Sequence, residues 1–307
     1  KVEFTSPNGI KLAARLELPA GPAKAFGLFA HCFTCSKDVA AATRISRSLA
    51  AQGIAVLRFD FTGLGNSDGD FANTNFSSNI SDLVSAAEYL ASSYEAPKLL
   101  VGHSLGGAAV LMAAAKLPSV EAVATIGAPY EPAHVTHLFA ESQDQLHQQG
   151  EAEVTIGLRQ FKIKQQFVQD LESYFAETQI KRLGKALLIF HSPQDTIVGI
   201  DNAAHIYQAA MHPKSFVSLD GADHLLSNRS DGDYVGQVLA SWAGRYVTAN
   251  ETGPDVEDHT VKVESFGRKL THIVNTAKHQ VLADEPKELG GDDLGPNPYE
   301  FLLAGLG

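Results

Sequence analysis

The first 250 residues alternate short, almost continuously apolar runs with longer stretches in which apolar residues recur every three or four positions. The short runs are typical of strands buried on both faces, as in a parallel sheet with helices on each side. Strands are predicted at residues 11–18, 25–31, 54–61, 98–103, 122–128, 186–191 and 215–219. Helices are predicted at residues 38–52, 76–94, 105–116, 202–211 and 234–246. The pattern therefore predicts a doubly wound α/β fold.

One connection is much longer than the others, because residues 131–184 separate two consecutive predicted strands. A crossover between parallel strands needs only about a dozen residues. Apolar residues recur in this insertion at a spacing that predicts amphipathic helices. They are Phe161, Ile163, Phe167, Leu171, Tyr174 and Phe175.

This insertion leaves from the carboxyl end of a strand, where open α/β sheets bind ligands. We therefore expect a helical cap over a site, with Phe161, Phe167 and Tyr174 forming apolar walls for the substrate. The alternative is a helical excursion that only packs its aromatic stripe onto the domain.

Composition and charge narrow the class of protein. The 307 residues are 44% hydrophobic and 19% charged, as in an ordinary globular protein. A net charge of -11 argues against nucleic acid or a membrane surface as a partner. Residues 251–307 hold eleven acidic and five basic residues, so we place a domain boundary near residue 250 and a linker at 251–257. Two cysteines cannot build a disulfide framework, which favours a cytoplasmic protein.

The predicted strand at 98–103 runs through Gly102-His103-Ser104-Leu105-Gly106 into a helix. A tight strand-to-helix turn brings the backbone close around its central residue, so that only glycine fits at positions 102 and 106. The same turn exposes the Ser104 hydroxyl at the sheet edge, next to the N–H groups of a helix N-terminus. The motif alone occurs by chance in many chains, but its placement here predicts a nucleophilic serine.

A serine hydroxyl is a weak nucleophile, so it needs a base that is oriented by a carboxylate. Two later strand ends supply candidates, with Asp195 after the strand at 186–191 and His224 after the strand at 215–219. Asp220 and Asp223 are competing carboxylates on the histidine's own loop. We favour Asp195, because a neighbouring loop can reach the far nitrogen of the imidazole.

An oxyanion hole is expected beside the nucleophile. Its N–H groups would come from Leu105 and from Phe33, in the loop after the strand at 25–31. Cys32 and Cys35 in that loop are either a redox pair or, as we favour, two small half-buried residues that shape the loop. No second cysteine pair exists for a zinc site, and we expect no metal.

Three histidines besides His224 lie at strand ends, namely His31, His103 and His191. We interpret them as hydrogen-bonded structural residues. The run Gly63-Leu64-Gly65 lacks the third glycine of a dinucleotide-binding loop, so we interpret it as a tight turn that borders the pocket.

Residues 1–250 resemble the α/β-hydrolase family. The resemblance rests on the motif around Ser104, on Asp195 and His224 in that order, and on the run from Arg58 to Gly65. It implies an eight-stranded, mostly parallel sheet and ester hydrolysis without a cofactor. His31-Cys32 replaces the family's usual His-Gly in the oxyanion loop. We expect a serine esterase for small-molecule esters, and the alternative is a non-catalytic binding module with the same fold.

From residue 258 onward the sequence resembles the start of an OsmC/Ohr domain, on the runs 279–286 and 290–300. Hydrolases fused to such a domain form a bacterial group. The resemblance implies an incomplete α+β segment over 258–307, and a homodimer where the domain is complete. It also places the family's redox cysteines beyond this sequence, so we expect no thiol peroxidase activity. The alternative function is a redox-related fusion protein whose hydrolase half serves a peroxidase half.

Overall fold

The computed structural model describes residues 1–32, 35–156, 159–249, 260–265, 270–277 and 279–306. Its main feature is an eight-stranded sheet in the order β1-β2-β4-β3-β5-β6-β9-β10. These strands are β1 Val2–Thr5, β2 Lys11–Glu17, β3 Ala25–Ala30, β4 Ile54–Phe59, β5 Leu99–His103, β6 Ala122–Ile126, β9 Ala186–His191 and β10 Lys214–Ser218. Only β2 pairs antiparallel, with β1 and β4. The predicted eight-stranded, mostly parallel sheet is confirmed.

Helices cover both faces of this sheet. They are α1 Ala40–Ala51, α2 Phe76–Ser93, α3 Leu105–Ala113, α4 Gln143–Gln149, α5 Gln165–Glu172, α6 Ala176–Lys181, α7 Asp201–Ala209 and α8 Arg229–Tyr246. One core packs α1 and α8 against the sheet, and the other packs α2, α3 and α7. Helix α2 begins with a capping box of Asn75 and Ser78, which fixes where its first turn starts. Among the described residues no helix is both long and apolar enough to cross a membrane.

The insertion is not entirely helical, and the prediction of helix around Phe161 and Ile163 was wrong. Two antiparallel strands, β7 Glu151–Ile156 and β8 Arg159–Lys164, precede α5. Ile163 is buried and the neighbouring Lys162 is exposed, which is the period of two that a strand requires. Because Phe161 and Ile163 are two positions apart, their spacing fits a strand, whereas the residues from 167 onward keep helical spacing.

The last part of the chain forms a three-stranded antiparallel sheet of β11 Val261–Ser265, β12 His272–Thr276 and β13 Gln280–Ala283, followed by α9 Pro298–Leu306. Asp284 is buried, and its carboxylate accepts the backbone N–H groups of Glu285, Asp292 and Leu294. These bonds hold the loop between β13 and α9. The OsmC-like character of this segment stays a prediction, and the predicted linker at 251–257 lies outside the described residues.

Candidate active site

Ser104 lies in the turn between β5 and α3, with a φ of 56° that non-glycine residues rarely adopt. A Cβ on Gly102 would collide with the backbone of Gly106, and a Cβ on Gly106 would collide with the carbonyl oxygen of His31. The two glycines therefore permit the close approach that the sequence pattern predicts. The Ser104 N–H donates to the Ile126 carbonyl at 2.8 Å, which ties the turn to β6.

His224 lies between Ser104 and Asp195. Its Nε2 is 3.0 Å from the Ser104 Oγ, and its Nδ1 is 2.7 Å from the Asp195 Oδ2. The other Asp195 oxygen accepts the backbone N–H groups of Ile197 and Val198, both at 2.9 Å. Burial alone would raise the pKa of Asp195, but the hydrogen bonds from His224 and Val198 outweigh it and hold the pKa below its usual value. The carboxylate therefore stays ionised beside the imidazole.

The competing carboxylates are bonded elsewhere. Asp220 accepts from the Ser218 hydroxyl at 2.8 Å, and Asp223 accepts from the Ser227 N–H at 2.7 Å. Strands β9 and β10 are neighbours in the sheet, and this brings their carboxyl ends to one place. The structure therefore pairs the imidazole with Asp195 rather than with an aspartate of its own loop.

The three histidines that we interpreted as structural are bonded to the backbone around this site. His103 Nε2 is 2.7 Å from the His224 carbonyl oxygen, and His191 Nε2 is 2.7 Å from that of Val198. His31 Nδ1 is 2.8 Å from the Cys32 carbonyl oxygen. Burial lowers the pKa of His103 to about 4, so this ring is neutral near pH 7. The histidines therefore support the loops that carry the candidate site.

Of the two expected oxyanion donors, one can be placed. The Leu105 N–H opens α3, and no acceptor for it lies among the described residues. Phe33, the other candidate, lies outside the described residues. Helix N-termini carry partial positive charge, so a negative oxygen beside Ser104 would be stabilised there.

The end of the oxyanion loop is held by a buried ion pair that sequence reasoning missed. Lys37 Nζ donates to the Asp60 carboxylate at 2.7 Å, and the Lys37 N–H donates to the other oxygen at 2.6 Å. Arg58, also buried, donates to the Lys37 carbonyl at 2.6 Å. The sequence did contain a signal for this buried pair, because Arg58 and Asp60 are charged residues at the end of an apolar strand. A charge there is stable only with a buried partner.

Cys32 and Cys35 are joined by a disulfide, with their Cα atoms 5.3 Å apart. Cys32 is buried and Cys35 half-buried, as expected for residues that shape the loop. They do so as a covalent bridge rather than as two separate side chains. In the sequence, residues 33 and 34 lie between the two bridged cysteines.

A cavity of about 10 Å³ adjoins Leu105. The described residues that line it are His31, Cys32, Phe61, Leu64, Phe71, Phe76, Asn79, Leu105, Gly106 and Ala109. Leu64 belongs to the turn of Gly63 and Gly65, both of which have positive φ. The turn therefore borders the cavity, as the sequence predicts.

The insertion contacts the aromatic residues of this cavity wall. The rings of Phe161 and Phe167 lie 5.3 Å and 6.3 Å from that of Phe71, and the ring of Tyr174 lies 4.9 Å from that of Phe76. Phe167 is almost fully buried, whereas Phe161 and Tyr174 are half-buried. That these three residues select the substrate stays a prediction.

Residues 27–238 match the Alpha/beta hydrolase family. Among solved structures, the esterase domain of a Rhodothermus marinus protein is 54% identical, with a TM-score of 0.67, over 80% of this chain and 97% of that one. Est1E from Butyrivibrio proteoclasticus, solved with ferulic acid bound, is 20% identical with a TM-score of 0.67, over 80% and 99% of the two chains. The second likeness concerns the fold alone.

A curated relative is the mouse protein named palmitoyl-protein thioesterase ABHD10, mitochondrial. It is 28% identical over 187 residues, which are 58% of this chain and 62% of the mouse protein. The chain therefore spans about three fifths of the length of that relative.

Proposed function

The chain belongs to the alpha/beta hydrolase family, and from this premise we propose that it is a serine hydrolase that cleaves small carboxylic esters through an acyl-enzyme intermediate. The observation that carries the proposal is the hydrogen-bonded series from Ser104 through His224 to Asp195. The likeness to an esterase domain at 54% identity supports the ester as the substrate class.

In this mechanism the Ser104 oxygen attacks the ester carbonyl while His224 Nε2 takes the hydroxyl proton. His224 then gives that proton to the leaving alcohol, and later activates the water that releases the acid. Asp195 accepts the Nδ1–H of the ring, which keeps Nε2 free to act as the base. Because the pKa of Asp195 is lowered, its negative charge stabilises the imidazolium that forms.

The negative oxygen of the tetrahedral intermediate would be held beside the start of α3. The Leu105 N–H is the first donor, and we assign the second to the Phe33 N–H. Lys37 and Asp60 act as positioning residues, because their ion pair fixes the end of the loop from which the second donor comes.

Thioesters are a second candidate substrate class, favoured by the match to the mouse thioesterase. The same serine attack cleaves them, with a thiol as the leaving group.

The test is hydrolysis of 4-nitrophenyl acetate and butyrate by wild type and Ser104→Ala. We expect the substitution to lower kcat by at least about a thousandfold, since only binding and the oxyanion donors remain. A fluorophosphonate probe should label wild type and not the variant. The exposed Ser92 on α2 supplies the matched control, because Ser92→Ala should keep full activity. Equal rates for wild type and Ser104→Ala would refute the proposal.

A further inference from the structure

His103 immediately precedes Ser104 and is a buried residue that the mechanism above does not use. Its Nε2 lies 2.7 Å from the backbone carbonyl oxygen of His224. A carbonyl oxygen only accepts hydrogen bonds, so Nε2 carries a proton and donates it to this bond. The bond joins the chain neighbour of the nucleophile to the backbone of the base. It is separate from the contact of 3.0 Å between the His224 Nε2 and the Ser104 Oγ.

The charge state of His103 suits a residue that holds a base. Burial, with a smaller contribution from the nearby His224, lowers the pKa of His103 to about 4. The two ring centroids are 5.4 Å apart, so a charged His103 would repel the imidazolium that forms on His224 during the reaction. The neutral ring can therefore hold the base without opposing its protonation.

The loop that carries His224 has a strained backbone. Leu226, two residues further on, has a φ of 51°, which non-glycine residues rarely adopt. Such a conformation persists only where the surrounding structure holds it. Two hydrogen bonds stay within the loop, since the Leu226 N–H donates to the Asp223 carbonyl at 3.1 Å and the Ser227 N–H donates to the Asp223 carboxylate at 2.7 Å. They maintain the shape of the turn but do not fix its position relative to Ser104.

Packing beside this loop is incomplete. A cavity of about 230 Å³ adjoins it, and His103, Leu225, Leu226 and Ser227 are among the residues of its wall. The Leu225 side chain is also exposed to solvent. Close packing normally holds a segment in one place. A loop beside a cavity therefore depends more strongly on hydrogen bonds to the rest of the molecule.

We propose that His103 is a positioning residue for the reaction, which holds the backbone of His224 so that its Nε2 stays within reach of the Ser104 hydroxyl. This inference rests on the proposed function. Without the bond, the strained loop has space into which it can relax, and a displacement of about 1 Å at a catalytic group costs up to about a hundredfold in rate. The bond does not touch the ester, so its loss should lower kcat and leave KM nearly unchanged.

The experiment measures kcat and KM for 4-nitrophenyl acetate with wild type, His103→Leu and His103→Gln. Leucine is close to histidine in size but cannot donate, so kcat should fall by about ten- to a hundredfold while KM stays within about twofold. Glutamine carries an N–H about as far from its Cβ as the histidine Nε2–H, and should restore kcat to within about threefold of wild type. Labelling by a fluorophosphonate needs the same base, so its rate should follow kcat through the series.

Ser119→Ala is the matched control. The Ser119 hydroxyl donates to the Pro97 carbonyl at 2.9 Å, just before β6 and therefore at the amino end of the sheet. This variant also loses a bond from a side chain to a backbone carbonyl, but away from the site, and should keep the wild-type kcat.

The melting temperature separates positioning from stability. A purely structural role predicts that His103→Leu melts at a lower temperature but hydrolyses the ester at the wild-type rate while it is folded. Should the leucine variant fail to fold, His103→Met offers an unbranched side chain without a donor for the same comparison.

Three results would overturn the inference: a folded His103→Leu with the wild-type kcat, a His103→Gln no faster than His103→Leu, or a loss that lies entirely in KM. Each leaves the proposed function standing as long as Ser104→Ala abolishes hydrolysis. A wild type no faster than Ser104→Ala would instead refute the proposed function.

Discussion

The sheet edge that carries Ser104 and the insertion over 131–184 are held in different ways. At the sheet edge, Ser104, Asp195 and His224 follow parallel strands, and backbone hydrogen bonds fix their loops. The insertion is held against α2 by side chains, such as Asp170, which accepts from the Ser77 N–H and hydroxyl at 2.6 Å and 2.7 Å. A single substitution can remove one side-chain contact, whereas it leaves the backbone hydrogen bonds of a central sheet in place.

This difference separates the expected effects of substitutions. A change at the sheet edge should alter the rate for every ester, because all of them react at the same atoms. A change in the insertion should affect stability or the choice of substrate by a smaller amount. The three predictions that follow test this contrast.

The largest effect is expected for Asp195→Asn. The asparagine oxygen would keep the bonds from the Ile197 and Val198 N–H groups, so its NH2 would face Nδ1 and donate to it. This favours the wrong tautomer, and kcat should fall by about ten-thousandfold, as for a comparable substitution in a serine protease. Steady-state kinetics on a 4-nitrophenyl ester gives the rate. Asp220→Asn is the matched control and should keep nearly full activity. If Asp220→Asn lost the activity and Asp195→Asn kept it, the pairing of Asp195 with His224 would be wrong.

A smaller but large effect is expected for Lys37→Met. The substitution leaves the buried Asp60 carboxylate without its cation, which should lower the free energy of unfolding by about 3–5 kcal/mol. Urea unfolding measures it. The control is Asp38→Ala, which removes a largely exposed partner 3.2 Å from Lys37 and should cost less than about 1 kcal/mol. Equal losses in the two variants would show that the buried pair does not anchor the loop.

The smallest effect is expected for Tyr174→Phe in the insertion. It removes the hydroxyl that lies 2.8 Å from the Ser77 Oγ and keeps the ring against Phe76. The expected cost is about 0.5–1.5 kcal/mol in urea unfolding, with unchanged kcat on short esters. Phe175→Leu, at an exposed position, should change neither quantity. A large loss of kcat for Tyr174→Phe would mean that the insertion takes part in positioning the reacting groups. The proposed difference between the sheet edge and the insertion would then be wrong.

Selectivity by the insertion is better probed at Phe161 than at Phe167. Phe167 is 2% exposed, and truncating such a phenylalanine costs about 3–5 kcal/mol, which would hide any effect on specificity. Phe161 is half-buried and touches Phe71 on the cavity wall.

Much of the fold was predictable because its strands carry a strong local signal. Strands β3, β4 and β9 are buried along their whole length, and each was predicted within two residues of its ends. Strand β1 was missed because it is short and only Phe4 in it is buried, so that its pattern is weak. The strands of the insertion were missed because two apolar residues at a spacing of two were combined with a helical run.

The sequence by itself determined the positions of the central strands, the two glycines around Ser104 and the strand ends at which Asp195 and His224 lie, because each depends on residues close together in the chain. Only the tertiary structure decided which aspartate meets His224 and that Lys37 pairs with Asp60. These contacts join residues far apart in the chain. Local hydrophobic periodicity fixes which face of an element is buried, but the packing of whole elements against one another fixes which side chains meet there.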